Sequence, residues 1–498
     1  MKNPLFDTLF APHAAKETPF LYLPDGEVIT HGAFLARAAQ LAHALRGLGV
    51  HAGDRVAVQV AKCPDMLALY AACAQMGAVF LPLNTAYTAA ELSYFVKDSG
   101  AALLVGDPAR DVELRVVAQA SGAAFATLDN RGGSLSKAAD AQPRSFDTVE
   151  RHEENLAAFL YTSGTTGRSK GAMLTQKNLI SNAVTLAELW EFTREDVLLH
   201  ALPIFHTHGL FVATNVMLVS GGAMVFLPKL DVEQLIEWMP RATAMMGVPT
   251  FYTRLLDDAR LDGDLTANMR LFISGSAPLL ADTHLTFEAR TGHKILERYG
   301  MTETNMNTSN PYQGERRAGT VGLPLPDVAL RIADAHGNEL PRGETGVVEV
   351  RGPNVFLGYW NMPQKTEEEM RPDGWFITGD LGVQDADGYV TIVGRGKDLI
   401  ISGGYNIYPK ELEELLDAQN GVLESAVIGV PHSDLGEVPL AVLVARAGER
   451  IDLEVVKTAV GTALARFKQP REYRIVEALP RNTMGKVQKA ALRAEFGV

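Results

Sequence analysis

Cysteine is nearly absent from this chain: 498 residues carry two, Cys63 and Cys73. Two thiols cannot build a disulfide framework or a four-cysteine metal site, and their apolar surroundings predict buried free thiols in a reducing compartment. Long hydrophobic runs are missing too. The longest apolar stretch, "NVMLVSGGAMVFLP", is broken by Ser220, Gly221 and Gly222 and falls short of the roughly 20 residues of a membrane helix. The N-terminal "MKNPLFDTLFAPHAAKETPF" has no continuous apolar core of the export-signal kind. No basic run offsets the net charge of −13, which argues against broad nucleic-acid binding. An anionic small molecule stays open, provided the cations that bind it are placed locally. A cytoplasmic enzyme acting on small molecules, with no nucleic-acid or membrane partner, is the expectation.

What is present describes a globular protein, with 47% hydrophobic and 21% charged residues. The length asks for two or more domains. Thr30 is placed to cap a helix whose Leu35, Ala38, Leu41, Leu45 and Leu48 recur at helical spacing until Gly49. The strand "RVAVQVA", the helix "PDMLALYAACAQMG" and the strand "AVFLPL" follow. Strands separated by helices predict parallel sheets covered on both faces. Residues 128–150, polar and containing glycine, read as a surface connection, and "LAAFLYT" reads as a strand. The composition changes near residue 395, and the remainder reads as a small α+β unit. The predicted architecture is α/β: a large N-terminal domain over 1–396, with parallel-rich sheets and helices on their faces, and a smaller mobile domain over 397–498.

The strand "LAAFLYT" runs into "YTSGTTGRSKGAML", residues 161–174. Thr162, Ser163, Gly164, Thr165, Thr166 and Gly167 put hydroxyl and backbone donors on a pliable segment, with Lys170 close behind. Such donors suit phosphate. The Walker arrangement does not fit, because counting from Gly164 its second glycine falls on Ser169. That mismatch weighs against a kinase-type loop. A helix is expected soon after Gly171.

Four further motifs follow in order: "YGMTE" (299–303), "TGD" (378–380), "GRGKD" (394–398) and "PRNTMGK" (480–486). Together with the glycine-rich loop they resemble the adenylate-forming superfamily of acyl-CoA synthetases, adenylation domains and luciferases, over about residues 20 to 490. The resemblance implies that ATP converts a carboxylate to an acyl-adenylate and pyrophosphate, and that the acyl group then passes to the thiol of CoA. It implies that Thr162 to Gly167 and Lys170 wrap the β- and γ-phosphates, with Thr302 on the α-phosphate and Glu303 on Mg²⁺, a hard cation that prefers oxygen. Tyr299, Gly300 and Met301, with Glu297 and Arg298 before them, would lie beside the nucleotide. Ser274, Gly275, Ser276, Ala277 and Pro278 would line the adenine pocket from the other side. Asp380 suits two ribose hydroxyls, because a carboxylate accepts both hydrogen bonds, and Arg395 would add a ribose contact.

Lys486 would bridge the reacting carboxylate and the α-phosphate, where a point cation stabilises the transition state more than the ground state. The resemblance also implies a rotation of the small domain about Lys397. The rotated domain would build a CoA tunnel from Ser402, Gly403, Gly404 and Tyr405, whose glycines admit the pantetheine close to the backbone. A lysine exposed by such a swing is a target for a lysine acetyltransferase and deacetylase, and acetylation of Lys486 would remove its charge.

The acid is read from less general residues. Arg298 in the acyl pocket would be poorly placed against a hydrocarbon tail, and a guanidinium fork matches a second carboxylate. The alternative is that Arg298 pairs with Glu297 or another buried acid and only orders the loop. "PIFHTHG" adds His206 as a pocket residue and His208 for packing; "VPTFYTRLL" adds Arg254; Asn305 and Met306 fall near the pocket end. This polar, cramped set is similar to the malonyl-CoA synthetase group of the superfamily, which implies malonate as the acid. Methylmalonate, oxalate or acetate, or the loading of a carrier protein, are the alternatives. Arg298 speaks against acetate. A regulator without turnover would be expected to have lost Glu303 or Lys486.

Overall fold

The computed structural model describes residues 2–162, 169–402, 405–432, 435–464, 466, 468–482 and 485–496, with the side chains of residues 405, 406 and 436 left aside. The first helix signals hold at both ends. The Thr30 hydroxyl accepts the Ala33 N–H at 3.2 Å and caps the helix His31–Gly47. Gly77, at φ +75°, ends the helix Pro64–Met76 in the left-handed conformation that costs glycine least. Cys63 and Cys73 are buried free thiols.

A seven-stranded sheet takes its five parallel strands from the first 162 residues: Leu156–Thr162, Val79–Pro82, Arg55–Gln59, Leu103–Gly106 and Ala124–Thr127, in that spatial order. Both its faces are covered. Val56, Val58, Phe80, Leu103 and Val105 face the main core. Ala57, Val79, Leu81 and Leu104, one residue out of step, face a second cluster with Leu92, Phe95 and Phe159. A nine-stranded sheet follows, whose six parallel strands are Leu296–Met301, Leu271–Ser274, Ala244–Gly247, Val197–His200, Ala223–Phe226 and Pro19–Tyr22. The main core joins the two large sheets through Phe10, Phe20, Tyr70, Trp190 and Phe211. A four-stranded antiparallel sheet covers residues 329–395. A five-stranded sheet lies within 400–476, and its faces are covered by Leu412, Leu416, Val456 and Val460 on one side and by Leu479 and Leu492 on the other.

Two expectations are corrected. No helix begins directly after Gly171: Lys170–Thr175 is a strand, antiparallel to Leu156–Thr162, and the helix waits until Gln176. The two strands that flank the glycine-rich stretch are therefore antiparallel neighbours. The glycine itself explains the preference, since a Cβ at Gly171 would stand 2.2 Å from the Phe159 ring, so only glycine lets the strands close over that side chain. The connection 128–150 is not bare loop either. It holds a helix, Ser134–Asp140, whose Leu135 and Ala139 are fully buried. Its two apolar positions, four residues apart, are too few for a periodic signal against a polar background.

Gly171→Val should therefore overpack the hairpin and cost about 1–3 kcal/mol. Its thermal unfolding midpoint should fall below that of the wild type, and an unchanged midpoint would show that Phe159 moves aside freely.

Candidate active site

The parallel strands of the large sheets end on one side of the molecule, which is where open α/β sheets place their ligands. Thr162, His200, Gly247, Ser274 and Met301 are the last residues of five such strands. The strand Leu296–Met301 continues through a turn, Thr302–Thr304, into the antiparallel strand Asn305–Ser309. Gly300 makes this return feasible: a Cβ there would lie 1.8 Å from the Asn305 carbonyl oxygen.

Arg298 dominates the pocket. It is 4% exposed, and neither its Nε nor one terminal nitrogen has a hydrogen-bond partner. Among the described residues no carboxylate pairs with it. Glu297, its neighbour on the strand, points to the opposite face, meeting His284 Nδ1 at 3.3 Å and the Gly319 N–H at 3.2 Å. The reading of Arg298 as a merely paired, loop-ordering residue is thereby removed. Burial lowers its pKa to about 9. A Cβ on Gly275 would fall 2.3 Å from the guanidinium carbon, so glycine is needed for the side chain to pass. Buried polar atoms without partners include the Ser274 hydroxyl, the Thr207 hydroxyl and His208 Nε2. Ser276, at φ +70°, reaches His208 Nδ1 at 3.2 Å. His206, half-buried, has its pKa lowered to about 4 by burial, then by the Arg298 and Lys486 charges. Both imidazoles are therefore neutral at pH 7 beside a cation.

Next to this pocket the Tyr299 hydroxyl donates to Asp380 Oδ2 at 2.5 Å, and Arg395 Nε forms an ion pair with Asp380 Oδ1 at 2.7 Å. Asp380 is 3% exposed, and each of its oxygens keeps a lone pair for a further donor. Lys486 comes to the same place from the small domain. Its backbone N–H donates to Asn482 Oδ1 at 2.9 Å, and a Cβ on the preceding Gly485 would stand 3.6 Å from Thr250 on the helix Pro249–Leu256. Burial, followed by the Arg395 charge, lowers the Lys486 pKa to about 8 against the opposing pull of Asp380.

Beside the glycine-rich stretch, Lys170 Nζ pairs with Glu369 at 3.0 Å and lies 4.1 Å over the Tyr359 ring. The Tyr359 hydroxyl contacts Glu303 Oε1 at 2.9 Å and Glu369 Oε2 at 2.6 Å. Burial raises the Glu303 pKa. A buried carboxylate with few protein partners fits a magnesium ion, which takes one or two carboxylates and completes its shell with phosphate oxygens and water. Thr302 is half-buried beside it, and Met306 is 2% exposed, in register with Gly300. Ala277 is half-buried and Pro278 exposed.

Arg254 is exposed on a helix whose Phe251, Tyr252 and Leu255 are buried, and it forms no ion pair among the described residues. Glu297 belongs to the far face of its strand. Ser163, Gly164, Thr165, Thr166, Gly167, Gly403 and Gly404 lie outside the described residues. Ser402 is buried at the end of Ile400–Ser402, which pairs with Tyr405–Ile407. Lys397 is exposed in the turn Gly396–Asp398, where Asp398 is held by Arg493 at 2.7 Å. Sequence reasoning missed Tyr359 and Glu369. They lie ten residues apart in the "GYWNMPQKTEEE" stretch, remote from every motif, and only the tertiary fold sets them against Lys170 and Glu303.

The chain belongs to the AMP-binding enzyme family, whose profile matches residues 11–360; the profile of the AMP-binding enzyme C-terminal domain matches 411–486. It is 36% identical to a feruloyl-CoA synthase of Amycolatopsis sp over 95% of each chain. It is 35% identical to the malonate–CoA ligase of Arabidopsis thaliana, over 90% of this chain and 79% of that one. Its structure matches ATP-bound MatB from Rhodopseudomonas palustris with a TM-score of 0.98 and 54% identity, covering 100% of this chain and 99% of that one. Against apo MatB the TM-score is 0.87 at the same 54% identity, so the structure is more similar to the ATP-bound form than to the apo form. The chain is an AMP-forming acyl-CoA ligase working with ATP, Mg²⁺ and CoA. Among the described residues no helix is long and apolar enough to cross a membrane.

The depressed amine gives a pH expectation. Lys486 carries its charge below about pH 8 and loses it above, well short of the ordinary lysine value of 10.5. Because kcat/KM reports the free enzyme, kcat/KM for adenylate formation should fall on the alkaline side with an apparent pKa near 8. A profile flat up to pH 10 would place the lysine charge outside the reaction.

Proposed function

We propose that this enzyme is a malonate–CoA ligase, forming malonyl-CoA, AMP and pyrophosphate from malonate, ATP and CoA through malonyl-adenylate. The observation that carries this reading is Arg298, a buried cation whose counter-charge is not supplied by the described protein residues. A substrate with a second carboxylate supplies it, and the guanidinium fork takes that group bidentately. The neutral imidazoles of His206 and His208 add polarity without competing for the anion, and Met306 closes the pocket end. The malonate–CoA ligase of Arabidopsis acts, by its name, on the same acid.

In the first step the free carboxylate of malonate attacks the α-phosphorus, and pyrophosphate leaves. Lys486 lies between these two anions and offsets the charge that builds as they approach. Asp380 accepts from the ribose hydroxyls, with Tyr299 and Arg395 fixing its orientation. Thr302 donates to the α-phosphate, while Thr162, the loop 163–167 and Lys170 hold the outer phosphates, so Lys170 exchanges Glu369 for phosphate. Glu303 would hold Mg²⁺, which when bound would neutralise phosphate charge. In the second step the CoA sulfur attacks the acyl carbon, and AMP leaves. The domain split at 396/397 supplies the geometry: rotation about Lys397 withdraws Lys486 and brings Ser402, Gly403, Gly404 and Tyr405 to line the thiol's path. Acetylation of Lys486 by a lysine acetyltransferase, reversed by a deacetylase, would switch off only the first step. Methylmalonate is the second reading, since one methyl changes binding by only about 1–3 kcal/mol.

Two measurements test the reading. Arg298→Ala should lose about 30- to 1000-fold in kcat/KM for malonate, the cost of about 2–4 kcal/mol from an unpaired buried anion. ATP binding by the variant should survive in calorimetry. Near-normal turnover of malonate would remove Arg298 from the site, and a panel containing malonate, methylmalonate, oxalate and acetate identifies the acid. Lys486→Ala should abolish pyrophosphate release while still passing the acyl group from pre-made adenylate to CoA. Equal loss of both steps would refute the rotation.

A further inference from the structure

The segment 200–209, "HALPIFHTHG", presents His206 and His208 to the Arg298 pocket, and it is tied down by a lysine distant in sequence. Lys62 sits between the strand Arg55–Gln59 and the helix Pro64–Met76 of the other large sheet. Its ammonium reaches the His200 carbonyl oxygen at 2.7 Å, the Leu202 carbonyl oxygen at 2.9 Å and His200 Nδ1 at 2.8 Å, and it lies 4.3 Å over the Phe226 ring. Among the described residues no carboxylate pairs with it. Three acceptors match the three protons of an ammonium. Because Nδ1 accepts, the proton of His200 rests on Nε2, which donates to the Gly209 carbonyl oxygen at 2.8 Å. The Thr214 hydroxyl donates to that same oxygen at 2.9 Å. The segment is thus fixed at its start by Lys62 and at its end by His200 and Thr214. It also folds tightly on itself, since a Cβ on Gly209 would lie 2.1 Å from the Pro203 carbonyl oxygen. Beyond it runs a π-helical stretch, His208–Thr214, a wider winding that often marks functional sites.

We infer that Lys62 and His200 are positioning residues for acid recognition: they form a clamp from the first large sheet that sets where His206 and His208 stand against the Arg298-bound end of the substrate. The inference rests on the proposed reading of that pocket as the acid site. A lysine joined to two carbonyls and an imidazole holds the loop in one place, and a misplacement of about 1 Å costs on the order of a hundredfold in a preorganised site. Neither residue touches the acid.

The full-length enzyme is tested as wild type, Lys62→Met, His200→Asn and His200→Gln. KM and kcat are measured for the acid, KM for ATP, and the melting temperature for each protein. Lys62→Met and His200→Asn should raise KM for malonate about 10- to 100-fold, while kcat and KM for ATP stay within about threefold of wild type. His200→Gln should lie nearer wild type, because its amide nitrogen can still reach the Gly209 carbonyl. An unchanged KM for malonate in both Lys62→Met and His200→Asn overturns the clamp. So does a parallel rise of both KM values with a lowered melting temperature, which marks general loosening. If Lys62→Met fails to fold, the His200 pair decides, and His200→Gln no better than His200→Asn overturns it. A wild type that ignores malonate refutes the substrate reading instead, and the same comparison is then made with the acid it does take.

Discussion

A guanidinium in the interior without a counter-charge is the constraint around which this site is organised. Taking an ion out of water costs several kcal/mol even after relaxation, and no acid within the described protein compensates Arg298. Its surroundings are arranged to tolerate the charge without quenching it. Glu297 is turned away to His284, glycine at 275 opens the passage, and the two nearby imidazoles are kept neutral by burial and by the cation itself. The unpartnered nitrogens point to a ligand that brings negative charge with it. On the proposed reading, the site selects acids by the penalty on those that leave the cation unpaired, which is stronger discrimination than shape alone achieves.

Around Asp380 and Lys170 the opposite rule holds, with these charges paired. Asp380 is fixed by Tyr299 and Arg395, and Lys170 is parked on Glu369 above Tyr359. Paired groups of this kind keep their geometry while the partner is absent and offer further lone pairs or an exchangeable partner when it arrives. Lys486 joins the two sides. It is the contribution of the small domain, and its pKa is lowered first by burial and then by the neighbouring Arg395 charge. A lysine that carries such a cost when charged is suited to a place where an incoming polyanion removes it. The match to the ATP-bound form of MatB, closer than to its apo form, agrees with a chain whose small domain stands over the nucleotide side.

The motifs were legible because each is a local solution to a local demand. "YGMTE" needs Gly300 for the tight return to Asn305, and "TGD" and "GRGKD" bring Asp380 and Arg395 opposite each other on adjacent antiparallel strands. Arg298 could be singled out from its residue type at a position that the resemblance places in the acyl pocket. Whether it was paired could not, because Glu297 next to it offered an obvious partner until the strand's alternation sent the two to opposite faces. For Arg254, helical periodicity tells which residues share its face, and only packing tells what that face meets. The hairpin after Thr162 was missed because the run "GAML" suits either element.

The sequence by itself determined the family chemistry and the α/β architecture and singled out the glycine-rich stretch and Lys486, since these rest on short spacings and on residue types that no neighbour can alter. Only the tertiary structure decided that Arg298 is unpaired, that Tyr359 and Glu369 stand against Glu303 and Lys170, and that Lys62 secures a loop 138 residues further along the chain. Those contacts join strand ends and loops from separate parts of the fold. Their partners are chosen by how two sheets pack through a shared core, and no local pattern carries that information.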